Sequence, residues 1–189
     1  LEGLEIKAIA PSHGIIWREN PGAIIESYAK LASYMVGPAE PEVTVIWSSM
    51  YGNTERLVNS IVQGIRSEGI PVHVHRVPDE HVGAILASAW KSTGLVLGMP
   101  TYEYEMFPPM AWTLDMFRRK KILNKKVLRF GSKGWSGGAQ KELTAITEKL
   151  KWDFMEPIEW FGAPTEKELE LALESGKALA QQVKEACAG

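Results

Sequence analysis

From residue 43 onward the chain repeats one unit: a short apolar run, a turn of small or hydroxyl-bearing residues, then apolar side chains at helical spacing. The runs 43–47, 70–77, 94–98, 126–131 and 154–161 read as strands. Helical patterns begin at Thr54, near Glu80, before Trp112, at Ala139 and at Thr165. The first carries Leu57, Ile61, Val62 and Ile65 on one side, and Gly69 ends it. Strands that alternate with helices lie parallel, because parallel neighbours require a crossover and the crossovers here are helical. The expected class is α/β, a doubly wound parallel sheet of five strands. The run 94–98 is apolar throughout and suits the centre, whereas 70–77 is partly polar and suits an edge. Thr165 and Glu168 are spaced as a capping box, with the Thr165 hydroxyl capping the last helix and Glu168 reaching back.

The repeat does not extend upstream. Gly37, Pro38, Ala39, Glu40 and Pro41 make a linker that cannot continue a helix. Before it, residues 4–11 read as a strand, and Asn20-Pro21 starts a helix with an apolar stripe of Ile24, Ile25, Tyr28, Leu31 and Ala32. Residues 1–40 are too few to own a core, so they are expected to be the tail of another domain ahead of a domain over 41–189. The stripe is expected to dock, since it would otherwise stand in water. The first residue is Leu1 rather than methionine, which points to a fragment or a processed form. A formal net charge of -2 argues against a nucleic-acid partner. No apolar run reaches membrane-spanning length, and the start lacks the layout of a signal peptide. The single cysteine, Cys187, excludes an intrachain disulfide and suits a reducing compartment, so the cytoplasm is the expected location.

Doubly wound sheets bind ligands beyond the C-terminal ends of their strands, so the loops after the first, third and fourth strands should converge. The first loop is Ser48-Ser49-Met50-Tyr51-Gly52-Asn53-Thr54. Its hydroxyls and the N–H groups of the following helix suit a phosphate held by neutral donors, since it contains no lysine or arginine. An ordinary capped helix start, with Ser49 or Asn53 as the cap, is the competing reading. The loop lacks the Gly-Lys-Ser/Thr ending of a nucleotide-hydrolysing loop and the three glycines of a dinucleotide fingerprint. The second loop holds Pro100, Thr101, Tyr102, Glu103, Tyr104 and Phe107; its aromatic groups suit the wall of a flat ligand, or else cover the sheet end. Pro108-Pro109 fits the start of the next helix. The third loop, Ser132-Lys133-Gly134-Trp135-Ser136-Gly137-Gly138 after Gly131, combines close backbone approach with a stacking face. His73 and His75 alternate on an edge strand without metal-ligand partners, His81 opens a helix, and Arg118-Arg119-Lys120-Lys121 suits a helix C-terminus.

These three loops together resemble the flavodoxin-like family over residues 42–187, which implies the strand order 2-1-3-4-5 and FMN as cofactor. The opening piece, Ala10-Pro11-Ser12-His13-Gly14 with Ile16-Trp17-Arg18 after it, looks like the end of the metallo-β-lactamase-like domain of flavodiiron proteins (A-type flavoproteins). The resemblance implies that His13 matches an iron ligand in the parent, that the other ligands are missing here, and that this piece alone holds no iron and reduces neither oxygen nor nitric oxide. It further implies that Ser49, Met50, Tyr51, Gly52, Asn53 and Thr54 surround the FMN phosphate. Pro100, Thr101, Tyr102 and Glu103 would line the ring, with Tyr102 its aromatic neighbour, and residues Ser132 to Gly138 would close the other side with Trp135 packed on it. Nearby cations favour negative charge on a reduced ring. Lys133 is accordingly expected to raise the flavin potential, with Glu103 and Glu105 opposing it. The implied partners are a rubredoxin-like or flavoprotein electron donor, the diiron domain of the parent and a second copy in a head-to-tail homodimer. Two other readings remain open at this point: an independent electron carrier of the flavodoxin type, and a flavin-dependent NAD(P)H:quinone reductase.

Overall fold

The computed structural model describes residues 3–188. In chain order its elements are α1 (Pro21–Ser33), β1 (Glu40–Trp47), α2 (Glu55–Ser67), β2 (Val72–Arg76), α3 (Val82–Lys91), β3 (Ser92–Gly98), β4 (Thr101–Tyr102), β5 (Glu105–Met106), α4 (Pro108–Lys120), β6 (Lys126–Lys133), α5 (Ala139–Thr147), β7 (Asp153–Phe154), β8 (Ile158–Phe161) and α6 (Glu166–Ala188). The main sheet is parallel, with β2, β1, β3 and β6 side by side and both β7 and β8 on the far edge of β6. This is the expected order, with the fifth strand in two pieces. Met155 still donates to Val127 O at 2.9 Å, but Pro157 has no N–H to continue the ladder.

Side chains alternate across the sheet and build two cores. Val43, Val45 and Trp47 of β1, Val96 of β3 and Leu128 and Phe130 of β6 pack against α2 and α6. Ile46, Leu95, Leu97 and Val127 face the other way, against α3, α4 and α5. All of β3 is buried, in keeping with its apolar sequence, and β2 is the edge.

α2 and α6 approach closely through two glycines. A Cβ on Gly64 would lie 2.1 Å from Leu173 O, and one on Gly176 would lie 2.4 Å from Ile61 O. Each helix therefore rests backbone to backbone on the other where a methyl group has no room. The cap of α6 differs from its sequence reading in one half. Glu168 does reach back to Thr165 N at 2.8 Å, but the Thr165 hydroxyl donates to the same carboxylate instead of capping.

The N-terminal segment departs further from expectation. Residues 4–11 form no strand; Ile9 and Trp17 exchange one pair of antiparallel hydrogen bonds, each 2.9 Å, and no neighbour extends it. α1 does attach, but by its C-terminal end and through polar contacts. Trp90 Nε1 donates to Leu31 O at 2.8 Å, Asn124 Nδ2 donates to Met35 O at 3.1 Å, and Lys30 pairs with Glu40 at 2.6 Å. Its apolar stripe stays largely in solvent, with Tyr28 75% exposed. Among the described residues no helix is long and apolar enough to cross a membrane.

Lys125 lies buried at the opposite end of the sheet from the C-terminal strand ends, with Nζ donating to Ser92 O at 2.5 Å and Trp90 O at 3.2 Å. Burial pushes its pKa down from 10.5 to about 8. Between those values the unfolded chain binds the extra proton, so stability attributable to Lys125 rises with pH there. Denaturant unfolding of the wild type and Lys125→Met at pH 7 to 11 should show the wild type gaining on the variant from pH 8 to 10.5; a constant difference refutes the assignment. Gly176→Ala should lower the unfolding free energy by about 1–3 kcal/mol in a urea titration, through overpacking against Ile61 O.

Candidate functional site

The ladders of β1, β3 and β6 end level, with Trp47 beside Gly98 and Gly98 beside Phe130. Two more hydrogen bonds carry the pairing into the loops, Ser48 N to Gly98 O at 2.8 Å and Met99 N to Phe130 O at 3.0 Å. The first two loops therefore leave the sheet side by side, while β6 continues beside β8 to Lys133 before the third loop begins. A cleft of about 450 Å³ opens between the three loops, lined by Met50, Tyr51 and Asn53, by Pro100, Thr101, Glu103 and Tyr104, by Ser132, Lys133, Gly134, Trp135 and Ser136, and by Gly162.

Ser49, Gly52, Thr54, Tyr102, Gly137 and Gly138 do not line it. Ser49 Oγ accepts the Gly52 N–H at 2.9 Å and so braces the turn, and Gly52 has φ 84, a conformation that suits glycine. Thr54 stands at the N-cap of α2, where neither Ser49 nor Asn53 sits, yet its side chain makes no capping bond. The third loop begins later than the sequence indicates, since β6 runs through Ser132 and Lys133. Gly138 leaves room for the second loop, because a Cβ there would stand 1.7 Å from Tyr104 O.

The second loop is a hairpin, not an open wall. β4 and β5 pair antiparallel around Glu103 and Tyr104, whose φ values are 46 and 66. Two successive positive φ angles make the turn that normally takes Asn-Gly, and side-chain-bearing residues hold it only under strain. Glu142 Oε2 on α5 accepts the Met106 N–H at 2.6 Å and holds the hairpin down. Tyr102 turns away to pack edge-on against Phe107, with ring centroids 6.2 Å apart. Tyr104 takes the place at the cleft expected of Tyr102. Trp135 is 98% exposed at the rim. A ring so free of packing has no role in the fold.

Three buried hydroxyl oxygens near the loops, Ser48 Oγ, Thr54 Oγ1 and Thr101 Oγ1, have no hydrogen-bond partner among the described residues. Each buried polar group left unsatisfied costs about 1–3 kcal/mol, so an oxygen-rich ligand or water belongs beside them. On the third wall, Lys133 Nζ pairs with Glu159 at 3.3 Å and is not an isolated cation. Burial pushes the Glu159 carboxyl up, but the Arg129 guanidinium and then Lys133 outweigh it and hold it below the usual carboxylate range.

The other polar candidates are accounted for locally. His73 pairs with Glu42 at 2.8 Å and His75 with Glu80 at 2.7 Å. His81 caps α3 by accepting the Gly83 N–H, and Arg118 and Arg119 both clasp Asp115. His13 is exposed, and among the described residues no three His, Cys, Asp or Glu side chains converge.

A parallel sheet of this order, with hydroxyls and aromatic rings around a cleft at its C-terminal edge, defines an α/β domain for a phosphorylated ring ligand. The family model described as Flavodoxin matches residues 45–176, and the chain belongs to that family. FMN is the cofactor this membership implies, and the residues fit it: buried hydroxyls without a partner among the described residues stand on the loops, and Tyr51, Tyr104 and Trp135 line the cleft. The homologues are flavodiiron proteins. The chain is 34% identical to the coenzyme F420H2 oxidase of Methanothermobacter marburgensis over 95% of its own length and 44% of that protein's. It is 30% identical to an anaerobic nitric oxide reductase flavorubredoxin of Escherichia coli, over 95% of this chain and 37% of the other. The solved flavodiiron protein from Giardia intestinalis superposes with a TM-score of 0.90 at 27% identity, covering 98% of this chain and 46% of its own. The chain thus spans less than half the length of each of these three proteins.

Replacing Glu103 and Tyr104 together by Asn-Gly should relieve the strained turn and raise the unfolding free energy by about 1–2 kcal/mol in denaturant titration. A loss of stability would show that the turn is not strained.

Proposed function

We propose that this chain is the FMN-binding electron-transfer domain of a flavodiiron protein, residues 41–189, preceded in residues 1–40 by the closing segment of a metallo-β-lactamase-like diiron domain. The observation that carries the reading is the pair of buried, unpartnered hydroxyls of Thr54 and Thr101, set on two of the three loops around an aromatic-rimmed cleft. The match to relatives over 182 residues takes in the N-terminal segment, whereas the flavodoxin match begins at residue 45, which supports a boundary near the linker. A free-standing carrier would have no use for that segment.

In this reading the turn from Ser49 to Thr54 and the first N–H groups of α2 hold the phosphate. Pro100, Thr101, Glu103 and Tyr104 form one wall of the ring site, and Ser132 to Ser136 form the other, with Trp135 closing over the ring. Tyr102, Gly137 and Gly138 support these walls from behind. The bound FMN supplies the redox chemistry, while the chain binds it, orients it and shields it from water. Electrons enter from a rubredoxin-like or flavoprotein donor and leave for the diiron centre of the parent, in a cytoplasmic homodimer. The parent is an oxygen or nitric oxide reductase, and this piece alone carries neither activity.

Titration of the purified chain with FMN should give a saturating change in the flavin absorbance spectrum. Thr54→Val and Thr101→Val should each weaken binding about tenfold, the loss of one hydrogen bond worth about 1.4 kcal/mol. A spectrum unchanged from that of free FMN would end the reading, and undiminished affinity in both variants would move the phosphate elsewhere.

A further inference from the structure

Behind the third loop stands a group of charges that anchoring a flavin does not require. Arg129 lies on β6 between the core residues Leu128 and Phe130 and is 0% exposed. Side chains alternate along a strand, so it shares a face with Val127 and Lys133. One guanidinium nitrogen donates to Glu159 Oε1 on β8, a second to Met99 O at 3.4 Å, and Nε has no partner among the described residues. The other oxygen of Glu159 accepts from Lys133 Nζ at 3.3 Å, and that ammonium lies 5.2 Å from the Phe161 ring. Lys133 lines the cleft, whereas Arg129 and Glu159 do not. The loop closes over the carboxylate, since a Cβ on Gly137 would stand 3.7 Å from each of its oxygens.

A buried guanidinium persists only beside a carboxylate that neutralises it. Glu159 is therefore fixed from below by a partner that cannot leave the core. A lysine near the surface ordinarily keeps its rotamer freedom and its head in water. Here its tip is tied to a carboxylate whose position is already set. The group carries two positive charges and one negative; Arg129 is fully buried, while Lys133 and Glu159 are 22% and 23% exposed, so water screens the net positive charge only in part.

We propose that Arg129 and Glu159 are positioning residues for the cleft: through Lys133 they fix one net positive charge at its wall and bias the site toward a ring that becomes anionic. This rests on the FMN reading above. It replaces the picture of Lys133 as an independent cation with that of the outermost member of a clamp.

The test compares Lys133→Met, Glu159→Gln and the double variant with the wild type. In the flavin-free chain, the side-chain ammonium NMR signal of Lys133 should exchange slowly in the wild type and broaden in Glu159→Gln to the level of Lys141, an exposed lysine on α5. In the FMN-loaded protein, Lys133→Met should lower the midpoint potential, and in the Glu159→Gln background that shift should fall to roughly a third. Equal Lys133 mobility in the wild type and Glu159→Gln, or an equal potential shift in both backgrounds, overturns the proposal. If FMN fails to bind the wild type, the functional reading falls, and the ammonium signal by itself decides whether the clamp exists. Should Glu159→Gln not fold, Glu159→Asp takes its place; it keeps a charge for Arg129 but draws it back from Lys133, with the same expected losses.

Discussion

The cleft depends on the hydrogen bonds that pair β1 with β3 and β3 with β6. Parallel strands satisfy their backbone groups only in register, and the register here brings Trp47, Gly98 and Phe130 to one level. Two further bonds extend the pairing into Ser48 and Met99, so the starts of the first two loops are directed by the ladder and not by their own sequence. Loops far apart in the chain meet because the sheet leaves them no other exit. The hydroxyls of Ser48 and Thr54 are buried for the same reason: they sit where a strand hands over to a helix, below the surface the loops create.

Much of this was legible in the residues. The apolar runs and helical stripes give the alternation, the all-apolar 94–98 gives the centre, and the glycine and hydroxyl turns mark the loops. Legibility failed where tertiary contacts overrule local preference. Glu103-Tyr104 contains neither of the residues that normally announce its turn, so the sequence does not show that the hairpin brings Tyr104 to the cleft. Gly162 lines the cleft from beyond β8, at a strand end whose position the break at Pro157 obscures. Arg129 and Glu159 carry charges that composition places at the surface. Only the register of β6 against β8 shows that they meet behind Lys133.

The N-terminal segment illustrates the limit of local pattern in another way. Its helix forms as its sequence requires, but among the described residues its apolar side is covered only in part, with Ile24 and Ile25 half-buried and Tyr28, Leu31 and Ala32 exposed. What holds it is a few polar contacts to Trp90, Asn124 and Glu40. Residues 4–11 lack even that, because a strand gains its stability from neighbours. A segment with helical structure, a largely exposed stripe and a polar tether is held by its end and not by its face.

The paired glycines of α2 and α6 reach further than their own contact. α2 follows directly on its N-cap Thr54, so the helix that presents the first loop is seated on α6, and α6 lines no part of the cleft. A methyl group at that seat would lift the whole rod, and its far end would move with it. The geometry of the first loop is thus adjusted from the back of the molecule, like a lever set at its fulcrum.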